Sequence, residues 1–598
     1  MQRKQRGKWF RYVRPYLPYF IIGPICMIAE VIGEVLMPKC LSLVINRAEE
    51  LEKLKSAGEA AATRQSGVWF SLGIAGVMVL IALGMMAGGV GGAYFGAKAS
   101  VNFAADLRSD VYARVQQFSF SNIDHFSTGS LVTRLTNDVT QMQNMVNMLL
   151  RMALRAPGML IGALIMAIIL RPSLAVVLAV TIPLMVLCIA LLILRTYPMF
   201  SHVQGKIDRL NSTVQENVTN VRVVKSFVRE NYEKAKFFNA NRDLKSTAMR
   251  AMRLMIFMSP VMTLFMNVTT IAVLWFGGKQ VYSGNMPIGD LSAFITYVTQ
   301  ILSSLMMVTM MLMMLSRAMA SAKRISEVLE EPITLSDENA SQKELTVREG
   351  RIEFRDVSFR YYKNSEDAVL DRINLTIEPR TVVGVIGSTG CGKSTLVSMI
   401  PRLYDVDEGQ VLVDGVDVRE YSLFHLREGV GMVLQKNVLF SGSIADNLRW
   451  GDEEATDEQL RAAAESAQAN QFVEAFPGGY LYDLGQGGKN VSGGQKQRLC
   501  IARALLKKPK ILILDDSTSA VDTATEARIR EAFRNELADS TKIVIAQRIT
   551  SVMEADQIIV LNEGRITGVG THEELLKTNQ EYREIYESQM DRKADEGV

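Results

Sequence analysis

The sequence predicts a membrane all-α domain of six transmembrane helices, fused to a soluble α/β domain. Two observations lead to this prediction. Residues 1–320 of the 598-residue chain carry long apolar runs, whereas residues 350–598 have the mixed polar and apolar pattern of a soluble α/β protein. In the second half, a glycine-rich loop follows an apolar strand-like segment and precedes a helix-like one. A chain of this length is long enough for two or more domains.

Six apolar runs in the first half are each able to cross a bilayer, which requires about 20 residues. Their positions are 16–38, 68–97, about 149–170, 174–194, 254–278 and 291–316. The N-terminus is basic and favours a cytoplasmic start, so six crossings return the chain to the cytoplasm. Segments 98–150 and 195–253 are charged and helix-periodic. We expect them to extend the membrane helices into the cytoplasm.

Two features of the predicted spans allow more than one interpretation. Glu30 and Glu34 lie four residues apart, hence on one helix face. Because a carboxylate in a bilayer is costly, this pair either faces a polar pathway, or is bonded to a neighbouring helix or wetted near the outer surface. Residues 306–314 read MMVTMMLMM. Methionine suits a surface that binds many shapes, but it fills lipid-facing and packing positions equally well.

Composition argues against a nucleic-acid partner. The net charge is only +3, so the chain lacks the basic field that nucleic-acid binders use. The cysteines form no CxxC pair, and we interpret them as unpaired packing thiols in a reducing or lipid setting. They are Cys26, Cys40, Cys188, Cys391 and Cys500.

A phosphate-binding loop is the clearest motif of the second half. The sequence GSTGCGKST follows an apolar segment at 381–386, precedes a helix-like one, and matches G-x-x-x-x-G-K-[ST]. In such a loop the backbone N–H groups wrap the phosphates, Lys393 reaches the β- and γ-phosphates, and the Ser394 hydroxyl binds Mg²⁺. We therefore predict a site for ATP and Mg²⁺ formed by Gly387, Ser388, Thr389, Gly390, Cys391, Gly392, Lys393, Ser394 and Thr395.

Two further motifs follow this loop at a distance that indicates an insert. Residues 511–516, ILILDD, predict a buried parallel strand that ends in Asp515, a carboxylate able to hold Mg²⁺ through water. Residues 492–498, SGGQKQR, open a helix. Backbone N–H groups and a serine hydroxyl at a helix N-terminus are good ligands for a γ-phosphate.

With these motifs the sequence resembles, over nearly its whole length, an ATP-binding cassette (ABC) half-transporter of the exporter type, with the type IV fold. VSGGQ at 491–495 resembles the family signature, with Val for the usual Leu. Gln435 in VLQKNVLFSG resembles the Q-loop glutamine, and Tyr361 resembles the aromatic residue that stacks on adenine. Residues 519–522, SAVD, resemble the D-loop.

The membrane half carries the same resemblance. Residues 118–139 and 216–230 resemble the cytoplasmic coupling segments, in which short helices dock on the nucleotide domains. The resemblance implies a transmembrane domain, a linker and a cytoplasmic ABC nucleotide-binding domain in a multi-pass protein of the cell membrane, the inner membrane of a bacterium. We place these three parts at 1–325, 326–350 and 351–598.

The family implies an ATP-hydrolysing translocase that works as a dimer. Two nucleotide domains close head to tail, and each site combines the Walker motifs of one chain with the signature of the other. The implied ATP contacts, besides the phosphate-binding loop, are Tyr361, Ser492, Gly493, Gly494, Gln495 and Asp522. The implied Mg²⁺ ligands are Ser394, Gln435 and Asp515, and the implied hydrolytic residues are Asp516, Gln547 and Gln435.

Two positions depart from the family pattern. A catalytic glutamate normally follows the Walker B aspartate, but here Asp516 is shorter by one methylene, about 1.5 Å. Because the protein contributes mainly positioning and electrostatics to phosphoryl transfer, this displacement can be severe. The switch histidine of the family is replaced by Gln547, which can hydrogen-bond a phosphate but carries no charge and cannot shuttle a proton.

We therefore expect a chain whose own Walker site binds ATP but hydrolyses it poorly, and whose signature completes a competent site on a different partner chain. This pattern resembles the degenerate subunit of bacterial heterodimeric multidrug exporters. The alternative is a homodimer with a slow but working site. The expected cargo is an amphipathic small molecule in contact with membrane lipid. The alternatives are a lipid or peptide exporter half, or a nucleotide-gated membrane regulator.

Overall fold

The computed structural model describes residues 9–56, 61–338, 340–362, 365, 367–516 and 521–595. The chain forms two compact units. The first comprises Met1–Arg114 and Gly129–Glu330, and the second comprises Val115–Thr128 and Glu331–Val598. The segment Val115–Thr128 therefore packs with the second unit. In the sequence, however, residues of the first unit both precede and follow this segment.

Helices build the first unit, as a bilayer requires, because backbone N–H and C=O groups in hydrocarbon must be bonded within their own segment. In the part of the chain that the structure describes, six helical stretches are long and apolar enough to cross a membrane, which confirms the predicted number of spans. The helices of the first half are α1 (Leu17–Ser56), α2 (Ala61–Gln116), α3 (Phe120–His125), α4 (Thr128–Thr133), α5 (Val139–Met152), α6 (Arg155–Leu170), α7 (Pro172–Thr219), α8 (Val221–Ser226), α9 (Glu230–Ile256), α10 (Met258–Tyr282) and α11 (Ile288–Glu330).

Several of these helices continue far beyond their apolar runs. Helix α2 runs without a break to Gln116, and α7 runs to Thr219. Helix α9 is rich in charged residues and becomes apolar toward its end at Ile256. The predicted charged extensions of the membrane helices are thus helical. The short helices α3 and α8 follow the ends of α2 and α7, inside the two segments that resemble coupling segments.

A proline within α1 is accommodated by a neighbouring helix. Pro38 has no N–H, so the carbonyl of Glu34, four residues earlier, loses its helical donor. The side-chain amide of Gln300 on α11 donates to that carbonyl at 3.0 Å. The hydroxyl of Tyr297, a fully buried residue one turn away, donates to the next carbonyl, that of Val35, at 2.9 Å. Side chains of α11 therefore satisfy this part of the α1 backbone.

Two sheets form the second unit, one with strand order β2-β1-β4-β5 and the other with order β10-β9-β3-β8-β7-β6. The first is antiparallel, and in the second β9, β3, β8, β7 and β6 run parallel while β10 is antiparallel. The strands are β1 (Ile352–Phe359), β2 (Leu370–Ile377), β3 (Val382–Gly387), β4 (Glu408–Val413), β5 (Val416–Asp417), β6 (Val430–Val433), β7 (Ile511–Asp515), β8 (Thr541–Ile545), β9 (Gln557–Asn562) and β10 (Arg565–Gly570).

Burial explains why the strands are apolar. All five residues of β7 are buried, as expected for a central strand of a parallel sheet that is covered on both faces. The strands predicted at 381–386 and 511–516 are confirmed as β3 and β7. The helices of this unit after the first strands are α12 (Lys393–Ser398), α13 (Leu423–Glu428), α14 (Ile444–Leu448), α15 (Asp457–Ser466), α16 (Asn470–Ala475), α17 (Gly493–Lys507), α18 (Thr523–Glu536), α19 (His572–Thr578) and α20 (Gln580–Asp595).

Helix α3 is attached to the second unit by its own cap. Ser119 caps its N-terminus in a reciprocal capping box with Asn122. The buried Asn122 amide also donates to the backbone carbonyl of Pro332 at 2.9 Å and to the carboxylate of Glu331 at 3.3 Å. The Asn122 side chain therefore both caps the N-terminus of α3 and binds the helix to residues 331–332 of the second unit.

Candidate functional site

The phosphate-binding loop connects the end of β3 to the start of α12. Its first glycine, Gly387, must lack a side chain, because a Cβ there would lie 2.0 Å from the carbonyl oxygen of Leu561 on β9. Gly392, directly before α12, has a φ of +101°, a region that favours glycine. Ser388, Thr389 and Gly390 between them are exposed. The motif therefore folds into a tight turn with an accessible backbone.

A cation lies over this loop. The Lys393 ammonium donates hydrogen bonds to the carbonyl oxygens of Gly387 at 2.8 Å and Ser388 at 2.7 Å. It lies 3.8 Å from the sulfur of Cys391, which is buried beneath the loop. A positive charge beside a loop of exposed residues suits the polyphosphate of a nucleotide.

The end of β7 supplies oxygen atoms next to the loop. The Ser394 hydroxyl donates to Asp515 Oδ1 at 3.0 Å. Burial raises the pKa of Asp515, and the hydrogen bond from Ser394 opposes that rise. A hydroxyl and a carboxylate are the hard oxygen ligands that Mg²⁺ prefers, so these two residues fit the ion that a bound nucleotide brings. The sheet thus joins residues that are 121 positions apart in the sequence.

Asp516 lies immediately beyond Asp515 and is held by two amide side chains. Its φ of +47° turns the chain away from the strand, and its N–H donates to the Ile545 carbonyl at 3.0 Å. The Gln547 amide donates to Asp516 Oδ2 at 2.8 Å, and the Gln435 side chain also hydrogen-bonds this carboxylate. Burial raises the pKa of Asp516, while both glutamines favour the charged form. Three residues selected from the sequence therefore meet at one carboxylate.

Gln497 is a residue of this group that the sequence reasoning missed. It is 1% exposed, lies on α17, and its amide approaches the Asp516 carbonyl oxygen at 3.4 Å. A fully buried glutamine needs such a partner, because an unsatisfied polar group in a protein interior is costly. The only available signal was its place within SGGQKQR, where it reads as one more polar residue of an exposed helix end.

Tyr361, which we predict to stack on adenine, lies beside the phosphate-binding loop. Its hydroxyl is 3.0 Å from the Thr395 hydroxyl, and 44% of the residue is exposed. The rings of Phe359 and Tyr404 both contact it edge-on, with centroids at 5.0 and 5.3 Å. Tyr404 was not selected from the sequence. Its position in RLYDV gives no local sign of this contact.

The remaining predicted contacts are at two other helix ends. Ser492 caps α17 in a reciprocal capping box with Gln495, and both Ser492 and Gly493 are exposed. Asp522 caps α18 by accepting the Thr525 N–H at 2.9 Å, and this bond lowers the pKa of Asp522. Within the described residues, no hydrogen bond joins these capping side chains to the phosphate-binding loop. Gly494 follows in the first turn of α17, and residues 519 and 520 lie outside the described part.

In the first unit, the two carboxylates of α1 share one partner. Arg155 on α6 lies 3.1 Å from Glu30 Oε1 and 3.3 Å from Glu34 Oε2. The interpretation as a pair bonded to a neighbouring helix is therefore confirmed. The pathway interpretation stays a prediction, and it is supported by a cavity of 150 Å³ that Glu34 and Arg155 line together with Gln300.

A larger cavity, of 430 Å³, lies next to Arg155 and is rich in methionine. Within 306–314, Met307 and Met314 line it, whereas Met310 is 63% exposed and does not. The methionine run therefore contributes only part of its circumference to the cavity. The cavity is lined by Met27, Asn144, Asn147, Met148, Arg151, Met152, Arg155, Met307 and Met314.

The fold and the site together define a membrane protein with its own nucleotide-binding domain, and comparison with known proteins identifies the family. Residues 20–305 match the family model of the ABC transporter transmembrane region, and residues 370–519 match that of the ABC transporter domain. The chain belongs to the ABC transporter family and is a half-transporter of the exporter type. It is a multi-pass membrane protein with a cytoplasmic ATPase domain.

Relatives span nearly the whole chain. The uncharacterized ABC transporter ATP-binding protein YfiB of Bacillus subtilis (strain 168) is 38% identical over 589 residues, covering 98% of this chain and 99% of the relative. Rv1273c of Mycobacterium tuberculosis (strain ATCC 25618 / H37Rv), also named as an uncharacterized ABC transporter ATP-binding protein, is 38% identical over 582 residues and covers 97% of each chain. The ATP-dependent lipid A-core flippase of Desulfotalea psychrophila is 32% identical over 484 residues, with 81% of this chain and 84% of the flippase covered.

We expect Gly387→Ala to abolish nucleotide binding, because the added Cβ would collide with the Leu561 carbonyl and force β3 away from β9. Binding of a fluorescent ATP analogue to the full chain in lipid nanodiscs measures this. The matched control is Gly415→Ala in the turn between β4 and β5, where φ is +81° and no atom lies within 4 Å of the new Cβ. The control should lose about 1–2 kcal/mol of stability but keep nucleotide binding. Normal binding by Gly387→Ala would contradict the described loop.

Proposed function

We propose that this chain is one half of a heterodimeric ABC exporter of amphipathic small molecules, and that its own Walker site binds ATP but hydrolyses it poorly. The family and the cytoplasmic ATPase domain are the established basis of this proposal. The observation that carries the finer part is the bond between Asp516 and Gln547.

The length of Asp516 and the way it is held are the physical reason to expect slow hydrolysis. A carboxylate that orients an attacking water must reach that water at hydrogen-bond distance. One oxygen of Asp516 accepts the Gln547 amide at 2.8 Å, Gln435 bonds the same carboxylate, and the side chain is already short by one methylene. The group opposite it is a neutral amide that cannot take up a proton. The hydrogen bonds of Lys393 to the phosphate-binding loop and of Ser394 to Asp515 support the binding of ATP and Mg²⁺ at this site.

The signature helix supports an unequal partner. Ser492 and Gly493 are exposed at the start of α17, so a second chain can reach them. In a family in which each site uses the signature of the opposite chain, this chain would complete its partner's site while its own remains weak. A partner with a glutamate and a histidine at the positions of Asp516 and Gln547 would then perform most of the hydrolysis.

The methionine-lined cavity supports an amphipathic cargo. Methionine side chains are flexible and polarisable, so they adapt to apolar groups of many shapes. The same cavity contains Asn144, Asn147, Arg151 and Arg155, which offer hydrogen bonds and charge to a polar head. An apolar wall with a few polar groups is the usual composition of a small-molecule site.

Lipid export is the second candidate. It is favoured by the similarity to the ATP-dependent lipid A-core flippase, whose name assigns a lipid to that relative. A lipid would also use an apolar wall and polar groups for its head. Export of a peptide, and a nucleotide-gated regulator that binds ATP without pumping, are further alternatives. The intact signature argues against the regulator, because its contact would serve no purpose without turnover.

The first test is the ATPase activity of the lone chain in lipid, compared with the same chain co-expressed with the ABC half encoded beside it. We expect turnover only with the partner, because the site of this chain lacks a competent water-orienting carboxylate. Lys393→Ala in this chain sets the background of the assay. Turnover by the lone chain, shown to be a dimer, would mean that Asp516 and Gln547 suffice for hydrolysis, and the unequal-site proposal would fail.

A second test separates the two sites of the heterodimer. Ser492→Ala should lower turnover about 100-fold, the scale of loss when one positioned group at a reacting centre is removed. Asp516→Ala should leave most of the turnover, because its site contributes little hydrolysis. Steady-state phosphate release by the purified pair measures both. The opposite order of effects would assign the weak site to the partner chain.

A third test addresses the cargo. Amphipathic dyes should stimulate the ATPase of the heterodimer in liposomes, and Met307→Ala or Met314→Ala should change the dye concentration that gives half-maximal stimulation, because both residues line the cavity. Met310→Ala is the matched control from the same run and should have no such effect. If labelled phospholipids are translocated while no dye stimulates turnover, the lipid alternative is correct.

A further inference from the structure

The side chain of Tyr404 lies between the nucleotide site and helix α3. It follows α12 in the chain and is half-buried. Its ring packs on Phe359 at a centroid distance of 5.6 Å and contacts Tyr361 edge-on at 5.3 Å, with 88° between the planes. Its hydroxyl donates to the Asp124 carboxylate at 3.0 Å, and its ring lies 6.0 Å from that of Phe120. All of these residues belong to the second unit.

On the nucleotide side, the series of contacts that includes Tyr404 begins at the phosphate-binding loop. Thr395 follows Ser394 in α12, and its hydroxyl is 3.0 Å from that of Tyr361. The Tyr361 ring is therefore held at two points, by Thr395 at its hydroxyl and by Tyr404 at its edge. Because 44% of Tyr361 remains exposed, a planar base can stack on it, and such stacking must fix or shift the ring against Tyr404.

On the other side, the contact ends on a helix that is continuous in sequence with the membrane half. Asp124 and Phe120 are both on α3, which begins four residues after the end of α2 at Gln116. The Ser119 cap and the bond from Asn122 to Pro332 hold the N-terminal part of α3, whereas Asp124 near its C-terminal end is held by Tyr404. Burial raises the pKa of Tyr404, so its hydroxyl remains a donor at neutral pH.

We propose that Tyr404 is a positioning residue that transmits occupation of the nucleotide site to helix α3, through its edge contact with Tyr361 and its hydrogen bond to Asp124. Aromatic side chains have few rotatable bonds. A displacement of the Tyr361 ring therefore moves the Tyr404 ring instead of being absorbed by rotation of either side chain. The hydrogen bond from the Tyr404 hydroxyl to the Asp124 carboxylate then couples the displacement of the ring to helix α3. Removal of the hydroxyl alone leaves the packed ring in place and breaks only this last step.

This inference requires that the domain bind a nucleotide, and it does not depend on unequal sites or on the cargo. A failure of the heterodimer proposal therefore leaves it unaffected. Its tests measure the segment Val115–Thr128 directly and need no hydrolysis.

The first measurement is hydrogen–deuterium exchange of the full chain in lipid nanodiscs, with and without a non-hydrolysable ATP analogue and Mg²⁺. In the wild type we expect the analogue to change the exchange of Val115–Thr128. Tyr404→Phe should bind the analogue with unchanged affinity but lose most of that change. Tyr362→Phe, at a tyrosine that is 78% exposed, is the matched control and should behave as the wild type. An unaltered change in Tyr404→Phe would overturn the proposal.

A double-mutant comparison distinguishes transmission from a loss of packing. Asp124→Asn keeps an acceptor oxygen and should retain the nucleotide-dependent change, whereas Asp124→Ala should lose it. Tyr404→Phe and Asp124→Ala each remove the same hydrogen bond. The double variant should therefore lose no more of the nucleotide-dependent change in exchange than either single variant does. Additive losses would show that the two residues act separately and would refute the proposal. Thermal unfolding of each variant identifies any that fold poorly, and Asp124→Asn then supplies the decisive comparison with the wild type.

Discussion

Parallel pairing of the central strands is the constraint on which the proposed site depends. In register, Val385 on β3 pairs with Ile545 on β8, and Ile545 pairs with Asp515 on β7. Because the carboxyl ends of parallel strands lie at one edge, everything that directly follows these residues lies at that edge as well. The phosphate-binding loop, Asp516 and Gln547 are brought together in this way. A shift of one strand by a single residue would separate them and would also move each of its side chains to the opposite face of the sheet.

Features encoded by local pattern could be predicted from the sequence, and features that depend on distant packing could not. Six apolar runs, two buried strands and a glycine-rich loop are each visible within about 30 residues of sequence. Arg155 is separated from Glu34 by 121 positions, so no local pattern indicates that the two carboxylates share it. Gln300, which bonds the Glu34 carbonyl left free by Pro38, is more remote still, at 266 positions from Glu34. Tyr404 and Gln497 were missed for the same reason, since their importance lies in their partners.

The two departures from the family pattern acquire a physical meaning only as a pair. With only the first substitution, Asp516 would face a histidine. With only the second, a glutamate would face the Gln547 amide. In this structure the short carboxylate and the amide bond each other directly. Such a bond is favourable in the half-buried setting of Asp516, and under the proposed function it would stabilise a site that holds its ligand without acting on it. A site of this kind suits a permanent nucleotide whose role is to keep two domains together.

The assignment of Val115–Thr128 to the second unit also determines the order in which the protein can be built. Asp124 and its partner Tyr404 are 280 positions apart, so the ribosome produces helix α3 long before the surface that receives it. At a synthesis rate of about 5–20 residues per second, this delay is on the order of tens of seconds. During that interval Phe120 and Asn122 lack their final contacts with Tyr404 and Pro332. The second unit is therefore completed only when it binds a segment that was synthesised before the rest of it, which makes this packing a late step in its folding.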